Sequence, residues 1–245
     1  MISGERDFPR NGVQGGTGLT PKLVPPTLAT MLRVWGRRTS QNVQKVMWLV
    51  GELGLEHEHI PAGGDFGLVS EPAFQKLNPN RLVPVIQDGG AVVWESHAIL
   101  RYLATVYSPG SIWPMDPYQR SLSDRWLDWA QAHWQPAFLS GVFWDFYRTP
   151  EQARNTAAVS AAIDRCSAMI RFLDHILTDR PFLAGDQFTL ADIPLGSTLY
   201  RYFGLEIFRP SAPRVVAWYS RLSERPAYRE HVMIPFDELK GKLAF

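Results

Sequence analysis

The chain has 245 residues, and its 25 basic and 24 acidic side chains give a formal net charge of +1 at pH 7. This balance excludes the strongly basic surface of a nucleic-acid-binding protein, and neither a polybasic cluster nor an apolar run of ~18 residues indicates a membrane. The single cysteine, Cys166, cannot form an internal disulfide, which indicates a reducing, cytoplasmic environment.

Residues 1–30 are expected to form a flexible N-terminal extension. They contain a Gly-Gly pair and a Pro-Pro pair and show little apolar periodicity. A basic stretch followed by an apolar one, as in a secretory signal, is not evident. Met31 begins the first ordered element and is a candidate for the natural initiator.

Residues 31–108 have the pattern of an α/β domain. The apolar run from Leu32 to Trp35 predicts a strand, and apolar residues at helical spacing then predict a helix that ends near Gly54. Further strands are expected at 56–60, 82–86 and 91–94, and helices at 71–77 and from residue 96 onward. The resulting order is β-α-β-α-β-β-α.

An all-helical domain is predicted over residues 115–235, after a linker near Pro109-Gly110. Its clearest helix has apolar residues at alternating steps of four and three, which places them on one buried face. These residues are Val159, Ile163, Cys166, Ile170, Leu173 and Leu177. Cys166 is therefore expected to be a buried, unreactive thiol.

Val83-Pro84 places a proline in a predicted strand, where it cannot donate to the ladder. If the peptide bond between them is cis, the Val83 amide and carbonyl can face outward and pair with an extended peptide-like ligand. An edge-strand proline without a ligand explains the local sequence equally well.

Glu95-Ser96 stands where a helix is expected to begin. The free amides of a helix N-terminus bind carboxylates, and an acid beside them can pair with an ammonium group. The pair could therefore bind the carboxylate and ammonium groups of an amino acid. An ordinary N-cap residue preceded by an acidic residue explains the sequence too.

Ser40 precedes the first predicted helix. A thiolate placed there would gain the helix dipole, the free amides and a hydroxyl donor, which together lower a thiol pKa. Arg37 and Arg38 add positive potential to the same loop. A serine in this position is also a common helix cap.

In their order and spacing these elements resemble the glutathione transferases. The Ser-containing turn and helix are followed by Leu-Val-Pro-Val at 82–85 and Trp-Glu-Ser-His-Ala-Ile at 94–99. Phe-Thr-Leu-Ala-Asp-Ile at 188–193 resembles the family's N-capping motif, in which Thr189 is expected to cap the third residue on and Asp192 to reach back. The similarity covers about residues 32–234 and is greatest to bacterial theta-like, serine-type members.

The resemblance implies an N-terminal thioredoxin-like domain that binds glutathione and a C-terminal helical bundle domain. By position, Ser40 donates to the glutathione sulfur. Thr39 and Asn42 are polar neighbours that could hold the sulfur instead, since Asn42 stands where many relatives carry proline. Neither Tyr nor Cys occupies this turn, which argues against the tyrosine-dependent and thiol-transfer classes.

The remaining glutathione contacts are also implied by position. Val83, before the cis-proline Pro84, pairs with the cysteinyl backbone. The γ-glutamyl end is held by Glu95 and Ser96, and the candidates for the glycine end are Phe66 and Arg81.

The second substrate is expected to be a small, often hydrophobic electrophile bound between the domains. The aromatic residues at the corresponding positions are Trp134, Phe138, Phe143, Trp144 and Tyr147. Such a stripe at helical spacing suits a buried core equally well. The resemblance also implies a homodimer.

Two alternative functions remain open besides a glutathione transferase. A non-catalytic binding or scaffold protein would not need Ser40, Val83-Pro84 or Glu95-Ser96. The presence of all three together argues against this alternative. A glutathione-dependent isomerase or dehalogenase stays open, although the isomerase pattern expects Ser-Ser-Cys in the first turn. A metal site is not expected, because His57 and His59 lack a third ligand.

Overall fold

The computed structural model describes residues 31–243, so the expected N-terminal extension lies outside the described residues. Within that range a four-stranded sheet with three helices is followed by an all-helical part, which confirms the predicted fold class. The helical part starts at Pro117, after the last helix of the sheet part has ended at Tyr107.

The sheet is mixed, with strand order β2-β1-β3-β4. The first two strands run parallel, and both pairs made by the third strand are antiparallel. The strands are β1 Leu32–Trp35, β2 His57–Ile60, β3 Val85–Asp88 and β4 Ala91–Trp94. The third strand begins only after Pro84, later than the sequence predicts, because proline has no N–H to donate to a ladder.

Residues 31–243 form eight α-helices. In the sheet part these are α1 Gln41–Glu52, α2 Pro72–Leu77 and α3 Ser96–Tyr107. In the helical part they are α4 Pro117–Trp129, α5 Thr156–Ile176, α6 Asp192–Gly204, α7 Pro213–Ser223 and α8 Pro226–His231. None of the helices within residues 31–243 is long and apolar enough to cross a membrane.

A π-helical segment, Ala130–Arg148, continues α4 without interruption. Its Gly141 packs closely against α5: a Cβ at this glycine would lie 2.7 Å from the Cβ of Ala162. The absent side chain therefore lets the two backbones approach each other. The π-helical segment and α5 are thus packed closely together.

Helix α1 is buried on almost every side. Nine of its 12 residues are buried, and three of these are polar: Gln41, Gln44 and Lys45. It packs against α3 on one side and against α6 and α8 on the other. Trp48, which is fully buried, packs edge-on against Tyr228 of α8. The two halves of the fold therefore meet on this helix.

Asp192 is the buried centre of the predicted N-capping motif. Its Oδ2 accepts the N–H of Thr189 at 3.0 Å, so it reaches back as predicted. Its Oδ1 also accepts the N–H of Leu183 and the Nε1–H of Trp218, each at 3.0 Å. The Thr189 hydroxyl accepts from Ala191, two residues on rather than three.

Replacing Asp192 with alanine should lower the free energy of unfolding by about 3–5 kcal/mol, because three buried N–H donors lose their acceptor. Urea denaturation at pH 7 followed by circular dichroism measures this loss. Asp186→Ala, which removes an exposed carboxylate from the preceding loop, is the matched control and should change stability little. Equal losses in the two variants would contradict the assigned role.

Candidate functional site

A cleft of about 220 Å³ opens at the N-terminus of α1. We call it the α1 cleft. Its first wall comes from the turn before α1 and the loop before β3, and its second wall from the π-helical segment, α6 and the C-terminal segment. The lining residues are Arg37, Thr39, Ser40, Gln41, Asn42, Leu82, Val83, Leu139, Phe143, Trp144, Arg148, Arg201 and Leu239.

Ser40 is the N-cap residue of α1, with an extended backbone at φ −75° and ψ 122°. Its side chain makes no capping hydrogen bond. The backbone carbonyl of Ser40 accepts the N–H of Gln44 at 2.9 Å and begins the helix. The hydroxyl therefore lies at the positive end of the helix dipole without being used to cap it.

Asn42 and Thr39 also line the cleft, and one oxygen of each residue accepts a hydrogen bond. The Asn42 Oδ1 accepts from the ammonium group of Lys45 at 3.0 Å, which leaves the amide NH₂ as the donor available to the cleft. The Thr39 carbonyl accepts from the guanidinium of Arg201 at 2.7 Å. The structure thus brings all three predicted sulfur-holding residues to one cleft.

Lys45 was not predicted, and it organises the inner side of this turn. Its Nζ lies 3.0 Å from Asn42 Oδ1, 3.1 Å from Gln135 Oε1 and 3.2 Å from His97 Nε2. The contacts with His97 and Gln135 join α1 to α3 and to the π-helical segment, and the contact with Asn42 lies within α1. Nothing in the local sequence marks it, because Lys45 lies off the apolar positions Val43, Val46, Met47 and Val50.

Burial lowers the pKa of Lys45 to about 7, and the nearby charge of Glu95 opposes this shift. Burial also lowers the pKa of His97 to about 2, with a further contribution from the Lys45 charge. His97 is therefore neutral at physiological pH, and its Nε2 accepts from the ammonium group of Lys45.

The peptide bond between Val83 and Pro84 is cis. Val83 lines the α1 cleft, and among residues 31–243 its backbone N–H and C=O make no hydrogen bond. The loop before it is held by Asn78, whose amide donates to the Leu82 carbonyl at 2.9 Å. An open backbone edge therefore faces the same cleft as Ser40.

The other predicted glutathione contacts lie outside the lining of the cleft. Glu95 is the exposed N-cap residue of α3 at φ 70°, and Ser96 is the first helical residue rather than the cap. Phe66 is exposed in a short 3₁₀ turn, and Arg81, also exposed, lies 3.5 Å from the Gln75 side chain. A ligand must extend beyond the cleft to reach any of them.

The predicted electrophile pocket divides into two groups. Trp144 and Phe143 line the α1 cleft. Trp134 and Phe138 do not: both are fully buried, their rings stack at 5.3 Å between centroids, and Trp134 Nε1 donates to Thr198. These two side chains therefore lie in the core and not in this cleft. Tyr147 is half-buried and packs against Phe236 rather than lining the cleft.

The C-terminal segment closes the second wall. Leu239 lines the cleft, the N–H of Gly241 donates to the Tyr147 carbonyl at 3.0 Å, and Arg148 Nε donates to the Lys242 carbonyl at 2.8 Å. Arg148 and Arg201 were missed by the sequence analysis, because nothing in their local sequence marks them.

Three expectations concerned groups that lie away from the cleft. Arg38 is directed elsewhere: it lines a second cavity with His57, His59 and His231. Residues 31–243 contain no group of three or more His, Cys, Asp or Glu side chains that could hold a metal ion. Cys166 is buried, and burial raises the pKa of its thiol to about 12.

The sequence matches two family models, "Glutathione S-transferase, N-terminal domain" over residues 30–105 and "Glutathione S-transferase, C-terminal domain" over residues 136–226. Glutathione S-transferase GstB of Escherichia coli K12 is 37% identical over 84% of this chain and 99% of its own. Glutathione S-transferase 3 of Zea mays is 30% identical over 82% of this chain and 93% of its own.

A solved structure of similar fold is the theta class glutathione S-transferase of Xanthomonas axonopodis pv. citri with glutathione bound. Its TM-score is 0.79 at 43% identity, covering 83% of this chain and 98% of that one. Its apo form has a TM-score of 0.71 at 38% identity.

Replacing Lys45 with methionine should flatten the pH dependence of stability. A folded-state pKa of about 7 lies below the unfolded value, so the unfolded chain retains more protons as the pH rises. Lys45 should therefore add about 2 kcal/mol to the free energy of unfolding between pH 7 and 9. Urea denaturation at several pH values measures the slope.

The exposed Lys76→Met serves as the control and should keep the parent slope. A Lys45→Met variant with the same slope as the parent would show that Lys45 titrates normally in the folded protein.

Proposed function

The chain belongs to the glutathione S-transferase family and is a glutathione transferase, and we propose that its α1 cleft holds the glutathione thiolate against a small electrophile. One observation carries this proposal. Ser40, Asn42 and the open backbone of Val83 line a single cleft at the N-terminus of a buried helix. The relatives are named glutathione S-transferases, and this does not favour the scaffold, isomerase or dehalogenase readings.

Glutathione would lie extended along the loop before β3. The Val83 amide and carbonyl can pair with the cysteinyl backbone as a short added strand. The γ-glutamyl end would then leave the cleft toward Glu95 and Ser96, where the free amides of α3 suit its carboxylate. The bound glutathione in the Xanthomonas relative supports this ligand.

The sulfur would sit at the start of α1. Two donors are available there, the Ser40 hydroxyl and the Asn42 amide, because Ser40 does not cap the helix and Lys45 fixes the Asn42 oxygen. The helix dipole and these donors favour the thiolate over the thiol. In its protonated form Lys45 also adds a positive charge behind Asn42, which acts in the same direction.

The electrophile would approach from the second wall, formed by Phe143, Trp144, Leu139 and Leu239. The thiolate then attacks an electrophilic carbon by substitution or addition. Thiolate stabilisation and the proximity of the two reactants supply the acceleration.

We also propose a cytoplasmic homodimer. The strand β4 is an edge of the sheet and exposes Trp94 and Val92, at 37% and 39% of their surface. Apolar side chains on an open edge suit a partner surface. A second copy of this chain is the partner that the family resemblance implies, and the single, buried Cys166 suits a reducing compartment.

Isothermal titration with reduced glutathione tests the proposed function directly. We expect binding together with an ultraviolet thiolate band at neutral pH, because the site lowers the thiol pKa. S-methylglutathione, which has no thiol, is the control and should bind without the band. No binding at millimolar glutathione would show that the protein is not a transferase.

Alanine replacements at Ser40, Asn42 and Thr39 test which group holds the sulfur. Ser40→Ala should lower turnover roughly ten- to hundredfold and raise the apparent pKa of the bound thiol, because one donor to the thiolate is lost. A spectrophotometric pH titration of the thiolate band gives that pKa for each variant. If the pKa moves only in Asn42→Ala, the amide is the donor and Ser40 is not.

A further inference from the structure

A second cavity, of about 170 Å³, is lined by β2, α1 and α8. We call it the histidine cavity, because three of the six histidines of the chain line it. It shares no lining residue with the α1 cleft. Pockets for drug-sized ligands begin at ~300 Å³, so this cavity suits a smaller ligand. The lining residues are Arg38, Gln44, Met47, His57, His59, Glu230, His231 and Ile234.

Strand β2 supplies two of the histidines. His57 and His59 alternate with Glu58, so the period of two places both imidazoles on one face of the strand. His57 Nδ1 lies 2.9 Å from the Leu55 carbonyl, and His59 Nε2 lies 2.7 Å from the Gly36 carbonyl. A carbonyl only accepts, so these two nitrogens carry the hydrogens. The second nitrogen of each ring therefore becomes a donor only when the ring is protonated.

Helix α8 supplies the third histidine. His231 is 8% exposed and lies close to α1, where a Cβ at Gly51 would be 3.0 Å from its Nε2. The same Nε2 lies 3.9 Å from the exposed Glu230 carboxylate. Arg38, from the turn before α1, donates to the Glu230 carbonyl at 3.4 Å and makes no ion pair among residues 31–243. The cavity thus combines one permanent cation and three imidazoles with a single acid.

Gln44 of α1 is the lining residue that calls for a ligand. Its side chain is 1% exposed. Neither its Nε2 nor its Oε1 has a hydrogen-bond partner within residues 31–243. A buried amide without partners is costly, and its NH₂ group needs an acceptor. An oxyanion in the cavity would supply that acceptor.

The charges around the cavity also favour an anion. Burial is the main cause that lowers the pKa of His59 and of His231. The charges of His57 and Arg38 lower both pKa values further, while the Gly36 carbonyl opposes the shift at His59 and Glu230 opposes it at His231. The positive charges therefore repel one another, and an anion among them would offset the repulsion and favour protonated rings.

A metal cation does not fit the same side chains. No group of three or more His, Cys, Asp or Glu side chains in the described part of the chain could hold a metal ion. The Arg38 guanidinium, which lines the cavity, would also repel a cation.

We propose that the histidine cavity binds a small oxyanion, such as sulfate or inorganic phosphate. The Gln44 amide and the Arg38 guanidinium donate to it, and the imidazoles add donors and positive charge once they are protonated. Binding thus strengthens as the pH falls, and it joins β2 and the turn before α1 to α8. The site is separate from the α1 cleft, so the proposal goes beyond the proposed function and does not depend on it.

Calorimetric titration with sulfate at about pH 5.5 and about pH 7.5 tests the proposal on the full chain. Sulfate keeps its charge over this range, so a change in affinity reports proton uptake by the protein. We expect saturable binding that is roughly tenfold tighter at the lower pH. Inorganic phosphate should displace sulfate, whereas chloride at equal ionic strength should not.

Three results would overturn the proposal. They are no sulfate binding, an equal affinity at the two pH values, and equal displacement by chloride, which would show a general effect of ionic strength.

Substitutions assign the binding to this cavity. Gln44→Leu should weaken sulfate binding roughly tenfold at both pH values, because the amide donor is lost. Glu230→Gln removes the opposing carboxylate and should strengthen binding. His231→Gln should reduce the pH dependence. The matched control is His175→Gln, at the exposed end of α5 and outside the cavity, which should bind as the parent does. Parent affinity in Gln44→Leu would contradict the assignment.

The parent protein gives an answer even where a variant does not fold. In proton NMR of the imidazole rings, sulfate should move the titrations of the three cavity histidines to higher pH. The titrations of the exposed His133 and His175 should stay unchanged. An equal displacement at all exposed and cavity histidines, or none at the cavity histidines, would overturn the proposal. Since these measurements use no glutathione, a failure of the proposed function would leave their outcome unaffected.

Discussion

The burial of helix α1 is the constraint on which the rest of the structure depends. The helix packs between the sheet part and the helical part, so Gln41, Gln44 and Lys45 are buried. Buried polar groups require partners. Gln41 donates to Ser197 of α6, and Lys45 bonds to Asn42, His97 and Gln135. These bonds fix the helix in rotation as well as in position.

Because α1 is fixed in place, its N-terminus is held in a defined position in the cleft. The first turn of α1 points its free amides at the junction between the two parts, and the loop before β3 brings an unpaired stretch of backbone beside it. Thr39 is held through its carbonyl by Arg201, which comes from α6. Thus the half of the chain that forms the second wall of the cleft also holds the turn that carries Ser40.

The sequence predicted the elements of the sheet part well, because each has a clear period and a clear turn signal. It also indicated Ser40, Asn42 and Val83, which lie within or next to those elements. It could not separate Trp134 and Phe138 from Phe143 and Trp144, since all four lie on one aromatic stripe. The π-helical geometry changes which side chains face the cleft, and periodicity alone does not show this.

The sequence analysis did not identify Arg201 and Lys45 as site residues, for a different reason. Their roles depend on contacts with residues far away in the chain: Arg201 meets Thr39 across 162 positions, and Lys45 meets Gln135 across 90. Local sequence carries no trace of such pairs. A buried charge becomes visible only when the packing around it is known.

The C-terminal segment after α8 affects how the substrate range of this enzyme could change in evolution. It contributes Leu239 to the cleft and is fastened by two backbone carbonyl contacts, at Tyr147 and Lys242. It takes no part in the sheet or in the thiol-holding turn. Phe236 anchors it further by packing against Phe143 and Tyr147. Exchange of this segment would therefore change the second wall of the cleft and leave the turn before α1 unchanged. The substrate range of such a protein can therefore evolve through replacement of this one segment.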